Sequence, residues 1–252
     1  MRKLLIGFCM SWGFFCYIPG PKKWDEEARP YMLAWLPTVS SIMGIIWALL
    51  SLLISKLQLP YFAAGALITW LPFIISGFIH VDGYMDVNDA LMSRASLEKK
   101  RAILKDSRCG TFAIVAMIFL VMMEFGFMTS AYAEGLIYPA ALVMIMAVPR
   151  GLSALMMMSL EPMETSQYIE MQRDNKARGF LILQLVIWAA LAFAFSGGDR
   201  VRVLITISAC AVGTLASIFI ARKELQGMNG DVAGYGILWG ELLGMMSLII
   251  TL

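Results

Sequence analysis

Three aspartates, Asp82, Asp86 and Asp89, are spaced four and three residues apart, directly after a long apolar run. At about 100° per residue they fall within roughly 60° on one face of a helix. Like charges at such spacing destabilise a helix by about 0.2–0.5 kcal/mol per pair, so we expect a cation to offset them. Carboxylate oxygens suit Mg²⁺, and Mn²⁺ accepts the same ligands. The pattern predicts a divalent-metal site that handles phosphate; the alternative is a solvated polar helix face.

Further polar residues accompany the aspartates. His80 is either an acid–base group or a packed interfacial histidine, and it is the only histidine, which excludes a multi-histidine metal centre. Gly83 either interrupts the helix or lets a ligand approach the backbone. Asp231, in a Gly-rich segment before the last apolar run, is either a substrate contact or the cap of that helix.

A second polar group precedes the next apolar run and consists of Lys105, Asp106, Ser107, Arg108 and Gly110. Basic side chains at the start of a helix can bind a pyrophosphate together with the helix N-terminal amides. The alternative is ordinary anchoring of a charged loop at a membrane surface.

Arg150 lies in the middle of an apolar stretch. Inserting an arginine there costs at least about 2.5–3.5 kcal/mol, so it should face the protein interior or water. We expect it either to contact an anionic substrate or to pair with Glu124 or Glu241, which also lie within apolar runs.

The elements that position these residues are membrane helices. The 252 residues are 60% hydrophobic and 15% charged, against about 45–50% and about 25% in soluble domains. Apolar runs of about 20 residues can cross a bilayer. We predict an all-α, polytopic membrane helix bundle that forms a single domain over 1–252. Seven spans are expected at 31–54, 61–79, 111–132, 136–160, 180–196, 203–220 and 232–252.

The first apolar run, 4–18, is shorter and ends before two prolines. It lacks a small-residue cleavage site, so we interpret it as a short span or an interfacial helix rather than a signal peptide. Most lysines and arginines fall in four loops, 19–30, 80–110, 161–179 and 221–231, which the positive-inside rule places in the cytoplasm. The 161–179 loop also carries a second acidic group, Glu161, Glu164, Glu170 and Asp174, expected to be solvated.

Three motifs resemble those of the cobalamin synthase family, the adenosylcobinamide-GDP ribazoletransferases. The first family motif reads approximately H-E-D-G-x-x-D-x-x-D-G, and the matching residues are His80, Asp82, Gly83, Asp86 and Asp89, with Val81 and Ala90 as departures. The second motif, K-D-S-R-x-G-T-F, is matched by Lys105–Phe112 at every specified position, and Cys109 occupies the variable one. The third, T-G-D-x-x-G-A, is similar to Asn229–Tyr235.

The resemblance implies transfer of adenosylcobinamide phosphate from adenosylcobinamide-GDP to α-ribazole, or its 5′-phosphate, with release of GMP. We expect the three aspartates to bind Mg²⁺ and take part in catalysis with His80. The expected substrate contacts are Gly83, Lys105, Asp106, Ser107, Arg108, Gly110, Arg150 and Asp231. Expected partners are these small molecules and membrane lipid, with no nucleic acid; the expected location is the inner membrane of a prokaryote. The protein could function as a monomer or as an oligomer.

Three alternatives fit less well. CDP-alcohol phosphotransferases carry an alanine–arginine pair after their first D-G step, which is absent here. Membrane prenyltransferases carry two aspartate-rich motifs, and the 161–179 loop is a poor second copy. A transporter would place charge along a path through the bundle rather than in loops on one side.

Overall fold

The computed structural model describes residues 2–163 and 174–250 and is built from helices joined by short connections. One 3₁₀ turn covers Glu26–Ala28. The α-helices are α1 (Arg2–Phe15), α2 (Arg29–Ala34), α3 (Leu36–Lys56), α4 (Tyr61–Ser76), α5 (Ile79–Met92), α6 (Leu97–Ile103), α7 (Thr111–Ala133), α8 (Pro139–Met157), α9 (Asn175–Phe195), α10 (Arg200–Leu225) and α11 (Gly230–Ile250). The all-α membrane bundle is thereby confirmed.

Six of these helices, α3, α7, α8, α9, α10 and α11, are long and apolar enough to cross a membrane. A seventh span is reached if the bent pair α4–α5 is counted, in agreement with the seven predicted spans. The predicted span 31–54 is divided, because the chain forms the short α2 before α3 begins at Leu36. With 14 residues, α1 extends about 21 Å and is too short to cross the hydrocarbon core alone.

Two helices form the centre of the bundle. In both α8 and α11, 72% of the most apolar window is buried, compared with 22% in α7 and 17% in α9. The outer helices present their apolar side chains outwards, as expected for helices in lipid. The central helices therefore offer the surfaces on which a buried site can be built.

The polar helix α5 does not continue the direction of α4, because the chain turns by 96° between them. Gly77 ends α4 with a left-handed φ of 66°, a conformation that glycine adopts without a Cβ clash. Phe78 follows at φ 61°, and its amide donates a hydrogen bond to the carbonyl of Phe73. This turn closes the apolar helix and directs the aspartate-bearing helix across the bundle.

The predicted loop 161–179 is described only at its two ends. Glu164 and Glu170 of the second acidic group lie outside the described residues. At the end of the loop, Asp174 caps α9, because its Oδ1 accepts hydrogen bonds from the amides of Lys176 and Ala177.

Candidate active site

The helix α5 runs without interruption through Gly83, so the three aspartates share one helix as their spacing predicts. Asp82, Asp89 and also Asp231 lie close enough to Asp86 to act on its charge. Among the described residues, the charged groups that act most strongly on Asp86 are carboxylates. Asp82, Asp86 and Asp89 belong to the first motif, and Asp231 belongs to the third, about 150 positions later in the sequence.

Close packing of α5 against α11 brings these motifs together. A Cβ at Gly83 would lie 2.7 Å from Cα of Asp231 and 2.9 Å from its carbonyl oxygen. A Cβ at Gly234 would lie 2.9 Å from the carbonyl oxygen of His80. Contacts under 3.0 Å with backbone atoms would force the two helices apart, so glycine at both positions permits this close approach. The two glycines explain how Asp82 and Asp231 reach the same site.

Asn229, not Asp231, caps α11. Its Oδ1 accepts a hydrogen bond from the amide of Val232 at 2.9 Å, and its Nδ2 donates one to Oδ2 of Asp231 at 2.7 Å. Asn229 therefore supplies the cap that the sequence suggested for Asp231. Its side chain also orients the Asp231 carboxylate within the first turn of α11. A carboxylate is also favoured there by the positive end of the helix dipole.

A cavity of about 510 Å³ opens between α1, α5, α8 and α11, and Leu33 of α2 and Leu36 of α3 complete its wall. Its polar wall contains His80, Asp82, Gly83, Asn229 and Asp231, and Ser153 of α8 adds a hydroxyl. The rest of the wall is apolar and includes Phe14 and Phe15 of α1. The size lies within the range of about 300–1,000 Å³ typical of small-molecule sites.

The carboxylates do not form a closed metal cage. Throughout 2–163 and 174–250, no three His, Cys, Asp or Glu side chains are grouped so that they could hold a metal ion. Mg²⁺ commonly takes one or two carboxylates and completes its shell with water and substrate phosphates. Asp82, Asp86 and Asp231, which interact as like charges, have the donor chemistry for such a site.

Asp89 contacts the second motif instead of lining the cavity. Its Oδ1 accepts a hydrogen bond from the amide of Ala113 at 3.3 Å in the first turn of α7. A Cβ at Gly110 would overlap the Asp89 carboxylate, so a larger residue there would displace that side chain. The first and second motifs therefore meet at the start of α7.

The basic part of the second motif lies on the exposed connection between α6 and α7. Arg108 donates hydrogen bonds to both carboxylate oxygens of Asp106, at 2.7–3.2 Å. These bonds lower the pKa of Asp106 to about 2. Lys105 and Ser107 are exposed. In the described part of the chain, none of these side chains contributes to the cavity wall.

Arg150 is buried, with 1% of its surface exposed, and forms an ion pair with Glu241 of α11. It also donates a hydrogen bond to the carbonyl of Met146 at 3.2 Å. Pairing with Glu241 was one of the two expectations for this arginine. Arg150 lies outside the cavity wall, although its charge acts on His80.

Most of the cavity wall was not predicted from the sequence, including Phe14, Phe15, Ser153 and Asn229. The phenylalanines and the serine lie inside apolar runs, where nothing distinguishes them from bundle packing. Asn229 could have been found from the sequence, since it begins the third motif two residues before Asp231.

The fold and this site define a multi-pass integral membrane protein with an acidic cavity between its helices. The model of the family described as "Cobalamin-5-phosphate synthase" matches residues 7–249, and the chain belongs to that family. The resemblance inferred from the three motifs is thus confirmed.

Relatives of the chain in several bacteria share the same name. The chain is 33% identical to the "Adenosylcobinamide-GDP ribazoletransferase" of Clostridium perfringens strain 13, over 95% of each chain. It is 32% identical to the protein of that name in Clostridium botulinum strain Alaska E43, over 98% of each chain. The same name belongs to a Geobacillus protein with 27% identity. No solved structure matches the chain.

Proposed function

We propose that this protein is an adenosylcobinamide-GDP ribazoletransferase. It would transfer adenosylcobinamide phosphate from adenosylcobinamide-GDP to α-ribazole or α-ribazole 5′-phosphate and release GMP. The observation that carries the proposal is the meeting of Asp82 and Asp231, from two motifs of the family, in one cavity. The names of the relatives support the same reaction.

In this reaction a ribose hydroxyl oxygen of the acceptor forms a bond to the phosphorus that carries cobinamide. The bond from that phosphorus to the GMP oxygen breaks, and GMP leaves with the electron pair. Such transfers depend mainly on alignment and on neutralised charge. The hydroxyl proton needs an acceptor, and the candidates are His80 and an oxygen of the aspartate cluster.

The aspartates are proposed to hold Mg²⁺, or Mn²⁺ in its place. Bound there, the metal would neutralise charge on the diphosphate. Asp82 and Asp231 would hold the ion from two different helices, with Asp86 beside them. Asp89 remains a candidate ligand from its spacing, and its contacts also suit a role in fixing the start of α7.

Lys105, Ser107 and Arg108 are proposed to contact the anionic groups of the substrates from the loop before α7. Arg108 would exchange its bonds to Asp106 for bonds to phosphate, two oxygens of which can accept from one guanidinium as the carboxylate does. In this loop, the backbone at Gly110 packs against the Asp89 carboxylate. Arg150 is proposed to act on the substrate charge only at a distance, since its guanidinium is paired with Glu241.

We further propose that the cavity opens to the cytoplasm and that the protein resides in the inner membrane of a prokaryote. The excess of lysine and arginine in the loops next to the cavity supports this orientation. The same compartment contains nucleotides and Mg²⁺. Contact with lipid follows from the exposed apolar side chains of the outer helices.

The test is GMP release from adenosylcobinamide-GDP and α-ribazole in membranes containing the protein. We expect release to stop in excess EDTA and to return with Mg²⁺ or Mn²⁺. Asp231→Asn should lower turnover at least 100-fold at equal amounts of inserted protein. Asp199→Asn, at the connection between α9 and α10, is the matched control and should retain activity. Undiminished release in EDTA would contradict the metal site, and absence of release from the wild type would contradict the reaction.

A further inference from the structure

The cavity has a second, buried end that the transfer chemistry described above does not use. Asp82 is exposed and marks the open end, whereas Ser153 is only 1% exposed and marks the buried end. Both ends belong to one continuous cavity wall. A substrate with its reacting hydroxyl at the carboxylates would therefore extend another part of itself towards α8.

Ser153 has an unpaired hydroxyl at this buried end. Several buried hydroxyls in these helices donate to the carbonyl four residues earlier, as Ser41, Thr69 and Thr214 do, whereas those of Ser11, Ser40 and Ser51 are unpaired but lie outside the cavity wall. Ser153 Oγ has no hydrogen-bond partner in the protein. A buried hydroxyl without a partner costs free energy. Because Ser153 lies in the wall of the cavity, a ligand there can supply the partner.

The walls around Ser153 are apolar and partly aromatic. The Phe15 ring stacks on the His80 imidazole, with centroids 6.0 Å apart and an angle of 19° between planes. Phe15 is 7% exposed, and the aliphatic residues Leu33, Leu36 and Ile237 complete this part of the wall. Such surroundings favour a flat apolar group that carries one hydrogen-bond acceptor.

We propose that the buried end binds the base of the acceptor nucleoside and that Ser153 selects it. The inference rests on the proposed function, because the base of ribazole is a benzimidazole, a flat bicycle with one unsubstituted ring nitrogen. The Ser153 hydroxyl donates a hydrogen bond to that nitrogen. Phe15 and the aliphatic wall cover the ring. This placement leaves the ribose on the side of Asp82 and Asp231.

The test compares two acceptors on each enzyme variant: the α-linked riboside of a benzimidazole and that of the corresponding indole. The indole keeps the shape but has a C–H in place of the accepting nitrogen. We expect wild type to prefer the benzimidazole about 10-fold in kcat/KM, as one hydrogen bond allows. In Ser153→Ala the preference should fall to about 1. The ratio does not depend on how much variant folds.

Ser40→Ala is the matched control, because Ser40 is also fully buried in a helix and its hydroxyl is also unpaired, but it does not line the cavity. It should keep the wild-type preference. Phe15→Leu removes the stacked ring and should raise KM for both acceptors about equally, with KM for adenosylcobinamide-GDP unchanged.

Three results would overturn the inference while leaving the reaction intact. They are a wild type that uses both acceptors equally, a Ser153→Ala enzyme that keeps the preference, and a Phe15→Leu enzyme altered only towards the donor. If wild type releases no GMP with either acceptor, the proposed function fails and the inference fails with it.

Discussion

Replacing Gly83 by alanine tests whether the approach of α5 to α11 builds the site. The added methyl group would lie 2.7 Å from Cα and 2.9 Å from the carbonyl oxygen of Asp231, so the two helices must separate. Overpacking of this kind costs about 1–3 kcal/mol. Alanine also favours a helix over glycine by about 0.8–1.0 kcal/mol, which offsets part of that cost.

The effect on turnover should exceed the effect on stability. Separation moves Asp82 away from Asp231, and a displacement of about 1 Å at a reacting centre can cost about 100-fold in rate. We therefore expect Gly83→Ala to insert and fold but to release GMP about 100-fold more slowly than wild type. The assay is GMP release per amount of inserted protein, with thermal unfolding in detergent as the measure of folding.

Gly126→Ala provides the control for this experiment. Gly126 lies within α7, and a Cβ there would have nothing within 4 Å. This variant should keep full activity and gain slight stability. Wild-type turnover in Gly83→Ala, or an equal loss in Gly126→Ala, would refute the argument from helix packing.

Three further predictions concern the cap, the buried ion pair and the orientation. Asn229→Ala should lower the free energy of unfolding by about 1 kcal/mol, whereas Asn229→Thr should lose less; an unchanged melting temperature in the alanine variant would exclude the cap. Arg150→Met should destabilise the protein by about 3–5 kcal/mol by leaving Glu241 buried without a partner, and adding Glu241→Met should recover most of this loss in thermal unfolding. A membrane-impermeant maleimide should label the exposed Cys109 in inside-out vesicles but not in intact cells, with Cys109→Ser as control; labelling in intact cells would reverse the proposed orientation.

Hydropathy and motif spacing were sufficient to predict the membrane bundle and most helix positions. The run of apolar residues predicts where a helix can cross a membrane, because that depends on composition alone. The 96° turn after α4 was not predicted. It depends on left-handed backbone at Gly77 and Phe78, and apolar residues on both sides conceal the break.

The candidate site could be predicted only where polar residues stand out from their surroundings. His80, Asp82, Gly83 and Asp231 were identified in this way, and the structure places all four in one cavity. Ser153 was not identified, since one serine in an apolar helix is indistinguishable from many others. Its significance comes from its position in the cavity wall, which is set by the packing of six helices.

Arg150 shows the limit of sequence reasoning in another way. Its burial could be inferred from its place in an apolar run, but its partner could not, because Glu124 and Glu241 were both eligible. The packing of α8 against α11 selects Glu241. Long-range contacts of this kind are properties of the assembled bundle and not of any one segment.

Binding of Mn²⁺ to the purified protein, followed by electron paramagnetic resonance in the presence of adenosylcobinamide-GDP, tests the central claim most directly. If carboxylates from α5 and α11 share one cation, Asp82→Asn and Asp231→Asn should each weaken Mn²⁺ binding at least 10-fold, while Asp199→Asn should leave it unchanged. Equal Mn²⁺ affinity in wild type and in both cavity variants would contradict a shared metal site.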